Sequence, residues 1–288
     1  MDKKIAIFGV GFLGTKLMEF FSNKFDVVGA DIDSRNSLVK DLDATDKKEI
    51  EKFLIKEKPN IVIDTIALAS YFVCENNQEL CRKLNYVTAK NLTEICEIIN
   101  AKMIFISSSY VFDGKKGNYS ETDIPNSTNV YARTKILAEK RVLELKNSIV
   151  IRIEPLYGFD KEKNQIKAGT NTFEGEVKNG YPDTLRSPVF IDDVPKIIHS
   201  LIEKNQNGIF HIASENKFIW IDFLKRLASL INAEDKVIIV DNSNWILNPP
   251  HDSSLDISKI TSLGIKTTSF KIAQKKLKKL IGNQFIKF

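Results

Sequence analysis

A glycine-rich turn near the start of the chain is the feature that most restricts its fold. Residues 9–14 read GVGFLG, with glycine at positions 9, 11 and 14. The apolar run KIAIF comes directly before the turn, and the apolar spacing from Phe12 to Phe21 predicts a helix directly after it. A buried strand that runs through a glycine turn into a helix is the beginning of a βαβ unit. Such units build parallel sheets that are covered by helices on both faces.

The alternation of strand and helix patterns continues through the first half of the chain. Further buried strands are predicted at DVVGAD, NIVIDTIA, KMIFISSS and SIVIRI, and helices at 46–56, 79–99 and 130–145. We therefore predict an α/β fold, a Rossmann-like doubly wound parallel sheet with a small C-terminal α+β substrate region.

The second half of the chain has a less regular pattern, and the domain limits follow from it. Residues 155–170 are interpreted as a polar loop at the margin of a site, while GIFHIAS is expected to add a strand to the sheet. The nucleotide-binding domain is predicted at 1–154 plus about 187–216. The substrate-binding region is predicted at about 155–186 plus 217–288.

Composition narrows the class of protein. The 288 residues are 43% hydrophobic and 27% charged, with a net charge of +5 spread along the chain, which suits one large or two small globular domains. The basic cluster from Lys271 to Lys279 is interpreted as an exposed helix face, so no nucleic-acid partner is expected. No stretch approaches the roughly 18 apolar residues of a membrane span. Three cysteines without a Cys-x-x-Cys pair predict neither a disulfide framework nor a metal site, and they fit a reducing cytoplasm.

The glycine turn also predicts a ligand. Glycines at this position let the backbone approach a pyrophosphate at the positive N-terminus of the following helix. The second strand ends in Asp31, where a carboxylate would bind the adenosine ribose and repel a 2′-phosphate. NAD(H) is therefore favoured, and NADP(H) stays possible because Arg35 is near in sequence. The predicted cofactor-binding residues of this part are Gly9, Gly11, Phe12, Leu13, Gly14 and Asp31.

The segment DLDATD, residues 41–46, has two interpretations. Asp41 and Leu42 can flank the adenine of the cofactor, or the segment can serve only to begin the next helix with Thr45 or Asp46 as its N-cap. The sequence leaves these alternatives equal.

A tyrosine and a lysine four residues apart occur three times, at Tyr86/Lys90, Tyr131/Lys135 and Tyr157/Lys161. On a helix such a pair shares one face, and the ammonium can lower the pKa of the phenol so that it exchanges a proton with a substrate carbonyl. The pair at 131 and 135 begins a predicted helix, whereas the first pair is expected to pack inside a helix and the third lies in the predicted loop. Tyr131 is therefore predicted to be the catalytic tyrosine.

Three serines support this choice. Ser107, Ser108 and Ser109 end the predicted strand KMIFISSS, and ligands of a parallel sheet bind outside the carboxyl ends of its strands. At this edge of the sheet, a serine hydroxyl can bind the oxygen of the substrate carbonyl with which Tyr131 would exchange its proton.

The motifs GVGFLG, ISSSYVFDG, VYARTKILAE and IRIEPLYG together resemble the extended short-chain dehydrogenase/reductases, and the likeness extends over nearly the whole chain. The chain is most similar to the dTDP-4-dehydrorhamnose reductase family. The resemblance implies hydride transfer from NAD(P)H to C4 of a 4-keto-6-deoxy sugar attached to a nucleotide. It implies that Ser108, Tyr131 and Lys135 are catalytic, with Tyr131 as general acid and Lys135 also holding the nicotinamide ribose.

The resemblance places further residues around this centre. Ala67 and Ala69 would border the cofactor, and Asn85 would support the catalytic water and the backbone network. Ser109, Tyr110 and Phe112 would face the substrate. Arg186 can bind a nucleotide phosphate or form a salt bridge. No metal is implied, and a homodimer is possible. Two other functions stay open: an epimerase or dehydratase with tightly bound NAD, and a non-catalytic regulatory subunit such as the reductase-like subunit of methionine adenosyltransferase.

Overall fold

The computed structural model describes residues 3–32, 38–173, 177–179, 183–239 and 250–285. Its strands are β1 (Lys4–Phe8), β2 (Asp26–Asp31), β3 (Val39–Asp41), β4 (Ile61–Asp64), β5 (Lys102–Ser108), β6 (Ser148–Ile153), β7 (Leu156–Asp160), β8 (Gln165–Ala168), β9 (Asn171–Thr172), β10 (Val177–Asn179), β11 (Leu185–Arg186), β12 (Val189–Phe190), β13 (Gly208–Ile212), β14 (Phe218–Ile219) and β15 (Val237–Ile239). Its α-helices are α1 (Phe12–Phe21), α2 (Lys47–Glu57), α3 (Tyr71–Asn76), α4 (Gln78–Arg82), α5 (Thr88–Ile99), α6 (Val130–Leu143), α7 (Val194–Glu203), α8 (Trp220–Ala228), α9 (Ser258–Ser262) and α10 (Phe270–Phe285).

The chain divides into two compact units. Unit 1 consists of Met1–Val111, Pro125–Arg152 and Pro195–Phe210. Unit 2 consists of Phe112–Ile124, Ile153–Val194 and His211–Phe288.

A seven-stranded sheet with the order β13-β6-β5-β4-β1-β2-β3 forms the centre of unit 1. β1 pairs in parallel with β2 on one side and with β4 on the other, so that Ile7 lies opposite both Gly29 and Ile63. Every residue of β4 and β5 is buried, as strands covered on both faces require. The order reverses between β1 and β4, and in such sheets ligands bind outside the carboxyl ends of the strands at that point. The predicted Rossmann-like fold is confirmed, and the strand predicted at GIFHIAS does join the sheet.

Polar side chains cap the N-termini of two helices in unit 1. The carboxylate of Asp46 accepts hydrogen bonds from the backbone N–H groups of Lys48 and Glu49, which makes it the N-cap of α2. Asn129 caps α6 in the same way by accepting from the N–H of Ala132 at 2.8 Å. The N-cap interpretation of Asp46 is therefore confirmed, and it does not conflict with a cofactor contact at the preceding Asp41 and Leu42.

Unit 2 contains small sheets beside an aromatic core. β7 pairs antiparallel with β8 and parallel with β12, and β8 pairs with β9. The prediction of a loop at 155–170 was wrong, because two strands occupy most of it. Tyr157 is buried against the rings of Phe223 and Phe270, while Lys161 is exposed, so this pair forms no shared site.

Within the described ranges, no helix combines the length and the apolar character that crossing a membrane requires. The same residues contain no cluster of three or more His, Cys, Asp or Glu side chains suited to a metal ion.

Candidate active site

The glycine turn between β1 and α1 leaves space at the N-terminus of the helix. Gly9 adopts a φ of +85°, and a Cβ on Gly14 would lie 2.0 Å from the carbonyl oxygen of Gly9. Gly14 is therefore needed for the close packing of α1 against the turn. A Cβ on Gly11 would meet no atom within 4 Å, and Gly11 caps the helix without a side-chain hydrogen bond. The open position at Gly11 fits a phosphate group held by helix N–H groups.

These two glycines give a matched pair of variants. We expect Gly11→Ala to leave the melting temperature unchanged but to weaken NADH binding by at least about tenfold, because the new methyl group would occupy the pyrophosphate position. Gly14→Ala should lower both the melting temperature and the affinity for NADH, because its methyl group collides with backbone. Calorimetry and NADH fluorescence titration measure the two effects. Normal NADH affinity in Gly11→Ala would contradict a pyrophosphate site at this turn.

Asp31 lies at the carboxyl end of β2, next to the glycine turn. Its carboxylate accepts hydrogen bonds from the N–H of Val10 at 2.6 Å and from the N–H of Ile32 at 2.8 Å. These bonds fix the carboxylate at the edge where an adenosine ribose is expected. Leu42 follows β3, donates its N–H to the carbonyl oxygen of Asp31 at 2.9 Å and is buried, whereas Asp41 is exposed. Arg35 lies outside the described residues.

The other predicted cofactor residues surround the same edge. Phe12 and Leu13 form the first turn of α1, where Leu13 is buried and Phe12 is partly exposed. Ala67 and Ala69 are exposed in the segment between β4 and α3.

Tyr131 lies in the first turn of α6 and is only 6% exposed. The Ser108 hydroxyl at the end of β5 lies close enough to the Tyr131 phenol for hydrogen bonding to lower the phenol's pKa, so the structure brings together two of the predicted catalytic residues. Burial raises the pKa of Tyr131 above its ordinary value, and the bond to Ser108 opposes this only in part. The lowering predicted from the Tyr-x-x-x-Lys spacing is therefore not what the structure shows, because desolvation is the largest influence and the neighbouring side chains of Tyr110, Cys74 and Cys81 also raise the pKa.

The ammonium group of Lys135 is enclosed one turn further along α6. Lys135 is 1% exposed, and among the described residues its Nζ has no hydrogen-bond partner. It lies 4.2 Å from the centroid of the Phe105 ring. Burial lowers the pKa of Lys135 to about 8, against the raising effect of the carboxylates of Asp64 and Glu139. A buried donor without an acceptor is costly, and the hydroxyl groups of a ribose would supply acceptors. The residues therefore fit a nicotinamide cofactor.

Asp64 is a site residue that the sequence analysis missed. It ends β4 at 1% exposure, and its Oδ1 accepts from the N–H of Ile66 at 2.9 Å. Burial raises the pKa of Asp64 to about 6, although the charge of Lys135 and the bond from Ile66 both lower it. A single carboxylate at the end of the apolar run IVID was the available signal. How deeply the Asp64 carboxylate is buried could not be deduced from that signal.

Replacing Asp64 with asparagine should stabilise the fold near neutral pH. Because the folded pKa is about 6 and the ordinary value is 3.8, the folded state binds more protons in this range, and the unfolding free energy of the wild type falls as pH rises from about 4 to 6. Asp64→Asn keeps the acceptor for Ile66 without the charge, and at pH 7 it should gain on the order of 2 kcal/mol. Urea unfolding at pH 4 and pH 7 provides the internal control. A gain of equal size at both pH values would contradict a buried charge as the cause.

Asn85 and Glu75 support the helix that carries Tyr131. Asn85 lies in a π-helical turn, Lys83–Val87, and its amide bonds to both backbone groups of Leu68 and to the Thr134 hydroxyl. Glu75 accepts from the N–H of Val130 at 2.7 Å. The bonds of Asn85 to backbone groups fit the backbone part of the role that the family resemblance implies, and its support of a catalytic water stays a prediction. The contact of Glu75 was not predicted.

The predicted substrate residues have different surroundings. Ser109 is buried, and the ring of Tyr110 lies tilted against the Tyr71 ring with the centroids 5.1 Å apart, in the cluster around Tyr131 in unit 1. Phe112 belongs to unit 2, where its ring lies parallel to that of Tyr119 at 4.1 Å. Substrate contact by these residues stays a prediction.

Arg186 is 2% exposed and donates to the backbone carbonyl oxygens of Leu185, Pro250 and His251. These bonds connect β11 to the segment at 250–251 and favour a structural role. The predicted phosphate contact stays a prediction.

Tyr86 and Lys90 form no second site. Tyr86 packs against the core of unit 1 with the Arg82 guanidinium 5.0 Å from its ring centroid, while Lys90 faces Glu94 at 3.8 Å. The expected packing role of Tyr86 agrees with this arrangement.

Comparison with known proteins places the chain in a family. The family model described as RmlD substrate binding domain matches residues 3–282. A curated relative is methionine adenosyltransferase 2 subunit beta from Bos taurus, 28% identical over 290 aligned residues that cover 95% of this chain and 86% of the relative.

Solved structures agree with this placement. A hypothetical dTDP-4-dehydrorhamnose reductase from Sulfolobus tokodaii is 28% identical, with a TM-score of 0.80 over 93% of this chain and 98% of that one. The dTDP-4-dehydrorhamnose reductase from Bacillus anthracis, solved in complex with NADP, shares the fold at 23% identity, with a TM-score of 0.79 over 96% of this chain and 98% of that one. Because the family model spans nearly the whole sequence, the chain belongs to the RmlD substrate binding domain family.

Proposed function

We propose that this chain uses a reduced nicotinamide cofactor to reduce the 4-keto group of a nucleotide-linked 6-deoxy sugar. The observation that carries the proposal is the proximity of the Ser108 hydroxyl to the buried phenol of Tyr131, with the buried ammonium of Lys135 one helical turn away. Membership of the RmlD substrate binding domain family and the similarity to the Sulfolobus tokodaii reductase support the same class of reaction.

The cofactor would be held by three parts of unit 1. The open turn at Gly11 suits its pyrophosphate, the fixed carboxylate of Asp31 suits the adenosine ribose, and Lys135 suits the nicotinamide ribose. When bound, this group supplies the hydride that carbonyl reduction requires. Asp31 favours NAD(H), and because the Bacillus anthracis relative binds NADP, both cofactors belong in the assay.

Tyr131 donates the proton to the substrate oxygen, and Ser108 assists by stabilising that oxygen. Since burial raises the pKa of Tyr131, its phenol stays protonated at neutral pH and can give its proton to the oxygen that becomes an alcohol. The Ser108 hydroxyl, which lies beside the phenol, can donate to the same oxygen and stabilise its developing negative charge. A charged Lys135 ammonium favours loss of this proton because it stabilises the phenolate, and a neutral Lys135 does not. Its pKa of about 8 therefore makes the rate sensitive to mildly alkaline pH.

The test measures consumption of NADH and of NADPH by the purified chain. The sugar substrate is a dTDP-4-keto-6-deoxy sugar, generated in place from dTDP-glucose by a dehydratase. Oxidation that requires the sugar supports the proposal and shows which cofactor is preferred. If cofactor binds but neither form is oxidised with this sugar or with its UDP and GDP counterparts, the reductase proposal is wrong.

A second candidate function is that of a cofactor-binding regulatory subunit. It is supported by the name of the Bos taurus relative, a subunit of methionine adenosyltransferase 2. This function predicts NAD(H) or NADP(H) binding without turnover, and co-purification with a methionine adenosyltransferase from the native source. The adjacent Ser108 and Tyr131 side chains favour the reductase, because cofactor binding alone does not require this pair.

A further inference from the structure

Two cysteines lie in contact beside the catalytic tyrosine. Cys74 of α3 and Cys81 of α4 are both fully buried, and their Sγ atoms are 2.7 Å apart. Nonbonded heavy atoms rest at roughly 3.5–4.0 Å, whereas a disulfide bond is about 2.05 Å long. The separation therefore lies well inside ordinary contact and close to bonding distance.

The break between α3 and α4 is what brings these sulfurs together. On a continuous helix, residues seven apart would be separated by about 10.5 Å along the axis. Here Asn77 leaves the helical conformation, with φ −139° and ψ 72°, ends α3 and caps α4 by accepting from the N–H of Leu80. The sequence spacing alone did not predict this pair, because it depends on the turn at Asn77.

Both sulfurs contact groups of the candidate active site. The Cys74 thiol donates to the carbonyl oxygen of Leu68 at 3.2 Å, in the segment between Ala67 and Ala69. The Cys81 sulfur accepts from the Asn85 amide at 3.3 Å and lies 3.6 Å from the Thr134 hydroxyl. Cys74 and Cys81 also pack in one buried cluster with Val130 and Tyr131.

We propose that Cys74 and Cys81 form a reversible disulfide, and that this bond weakens cofactor binding. With oxidised glutathione as oxidant, one thiolate attacks its disulfide, so that a mixed disulfide forms and one reduced glutathione leaves. The second cysteine thiolate then attacks the protein sulfur of the mixed disulfide, so that the bond between Cys74 and Cys81 forms and a second reduced glutathione leaves. The cofactor effect rests on the proposed function: oxidation removes the Cys74 donor from Leu68, beside the predicted cofactor residues.

Burial also sets the conditions of the experiment. The thiolate is the reactive form, and burial raises the pKa of Cys74, so oxidation requires opening of the short helices α3 and α4. The full-length chain is therefore refolded from urea in oxidised glutathione, and in parallel in dithiothreitol. Free thiols are counted under denaturing conditions, and peptide mass spectrometry identifies the bonded cysteines.

The expected result is the loss of two of the three free thiols in the oxidised sample, through a bond between Cys74 and Cys81. Cys96 is the matched control, since its sulfur faces the sulfur of Met103 at 3.9 Å. Cys96→Ser should therefore still form the bond, and Cys74→Ser and Cys81→Ser should not. Three titratable thiols after oxidative refolding, or a bond that involves Cys96 or a second chain, would overturn the disulfide.

NADH titration tests the cofactor effect. We expect the dissociation constant to rise about threefold to tenfold on oxidation, which is the weight of one neutral hydrogen bond, and to recover with dithiothreitol. Equal affinity in both states would overturn the coupling. Because neither thiol counting nor NADH binding uses the sugar, a failed reductase assay would remain a separate result.

Discussion

Replacing Tyr131 with phenylalanine should lower turnover by roughly 10²–10⁴, the usual contribution of a general acid. The substitution removes only the phenolic oxygen, while the ring keeps its place in the buried cluster with Val130. Ser108 loses the neighbouring phenol, but it still accepts from the N–H of Tyr110 at 3.2 Å and keeps a hydroxyl that can bind the carbonyl oxygen. Affinity for NADH should change little, because the glycine turn, Asp31 and Lys135 are untouched. Steady-state rates and NADH titration measure the two quantities.

Tyr86→Phe is the matched control. Tyr86 also precedes a lysine by four residues, yet its ring packs against the core of unit 1 and beneath Arg82. Removing its hydroxyl should leave turnover within about twofold, since no proton transfer depends on it. A Tyr131→Phe variant that turns over at the wild-type rate would contradict the assigned role. Equal losses in both variants would indicate a structural effect instead.

The fold of unit 1 was predictable because its signals are local. Helix α1 has the predicted limits, Phe12–Phe21, since strand, glycine turn and apolar spacing coincide there. The continuous pattern predicted at 79–99 contains a π-helical turn at Lys83–Val87, which apolar spacing does not reveal. The strands at Leu156–Asp160 and Gln165–Ala168 were missed because the first also pairs with Val189–Phe190, a segment distant in sequence.

The residues of the candidate site were easier to predict from the sequence than the pKa shifts of their side chains. Strand ends and helix starts indicated Tyr131 and the three serines at 107–109, and the family resemblance selected Ser108. The structure places the side chains of Ser108 and Tyr131 near each other. The direction of the Tyr131 pKa shift was not predictable, because it depends on depth of burial. The sequence also did not reveal that the Asp64 carboxylate raises the pKa of Lys135, because this effect depends on how near the two side chains lie in the fold.

The second large effect is expected at the ion pair between Glu139 of α6 and Arg152 of β6. Both side chains are 2–3% exposed, Arg152 Nη2 lies 2.8 Å from Glu139 Oε2, and Ser107 donates to the other carboxylate oxygen. Glu139→Leu removes one partner and leaves the guanidinium without this carboxylate in a buried site. We expect a loss of about 3–5 kcal/mol in the free energy of unfolding, measured in urea.

Two further variants show whether burial is the cause. Arg141 and Glu144, at the end of the same helix, form a pair at 3.0 Å in which Glu144 is 67% exposed, so Glu144→Gln should cost no more than about 1 kcal/mol. The double variant Glu139→Leu, Arg152→Met replaces both charges with apolar groups and should recover much of the loss seen in Glu139→Leu. If the free energy of unfolding of the double variant is instead clearly lower than that of Glu139→Leu, the wild type does not depend on pairing these two buried charges. The pair's contribution to stability would then come from packing between α6 and the sheet.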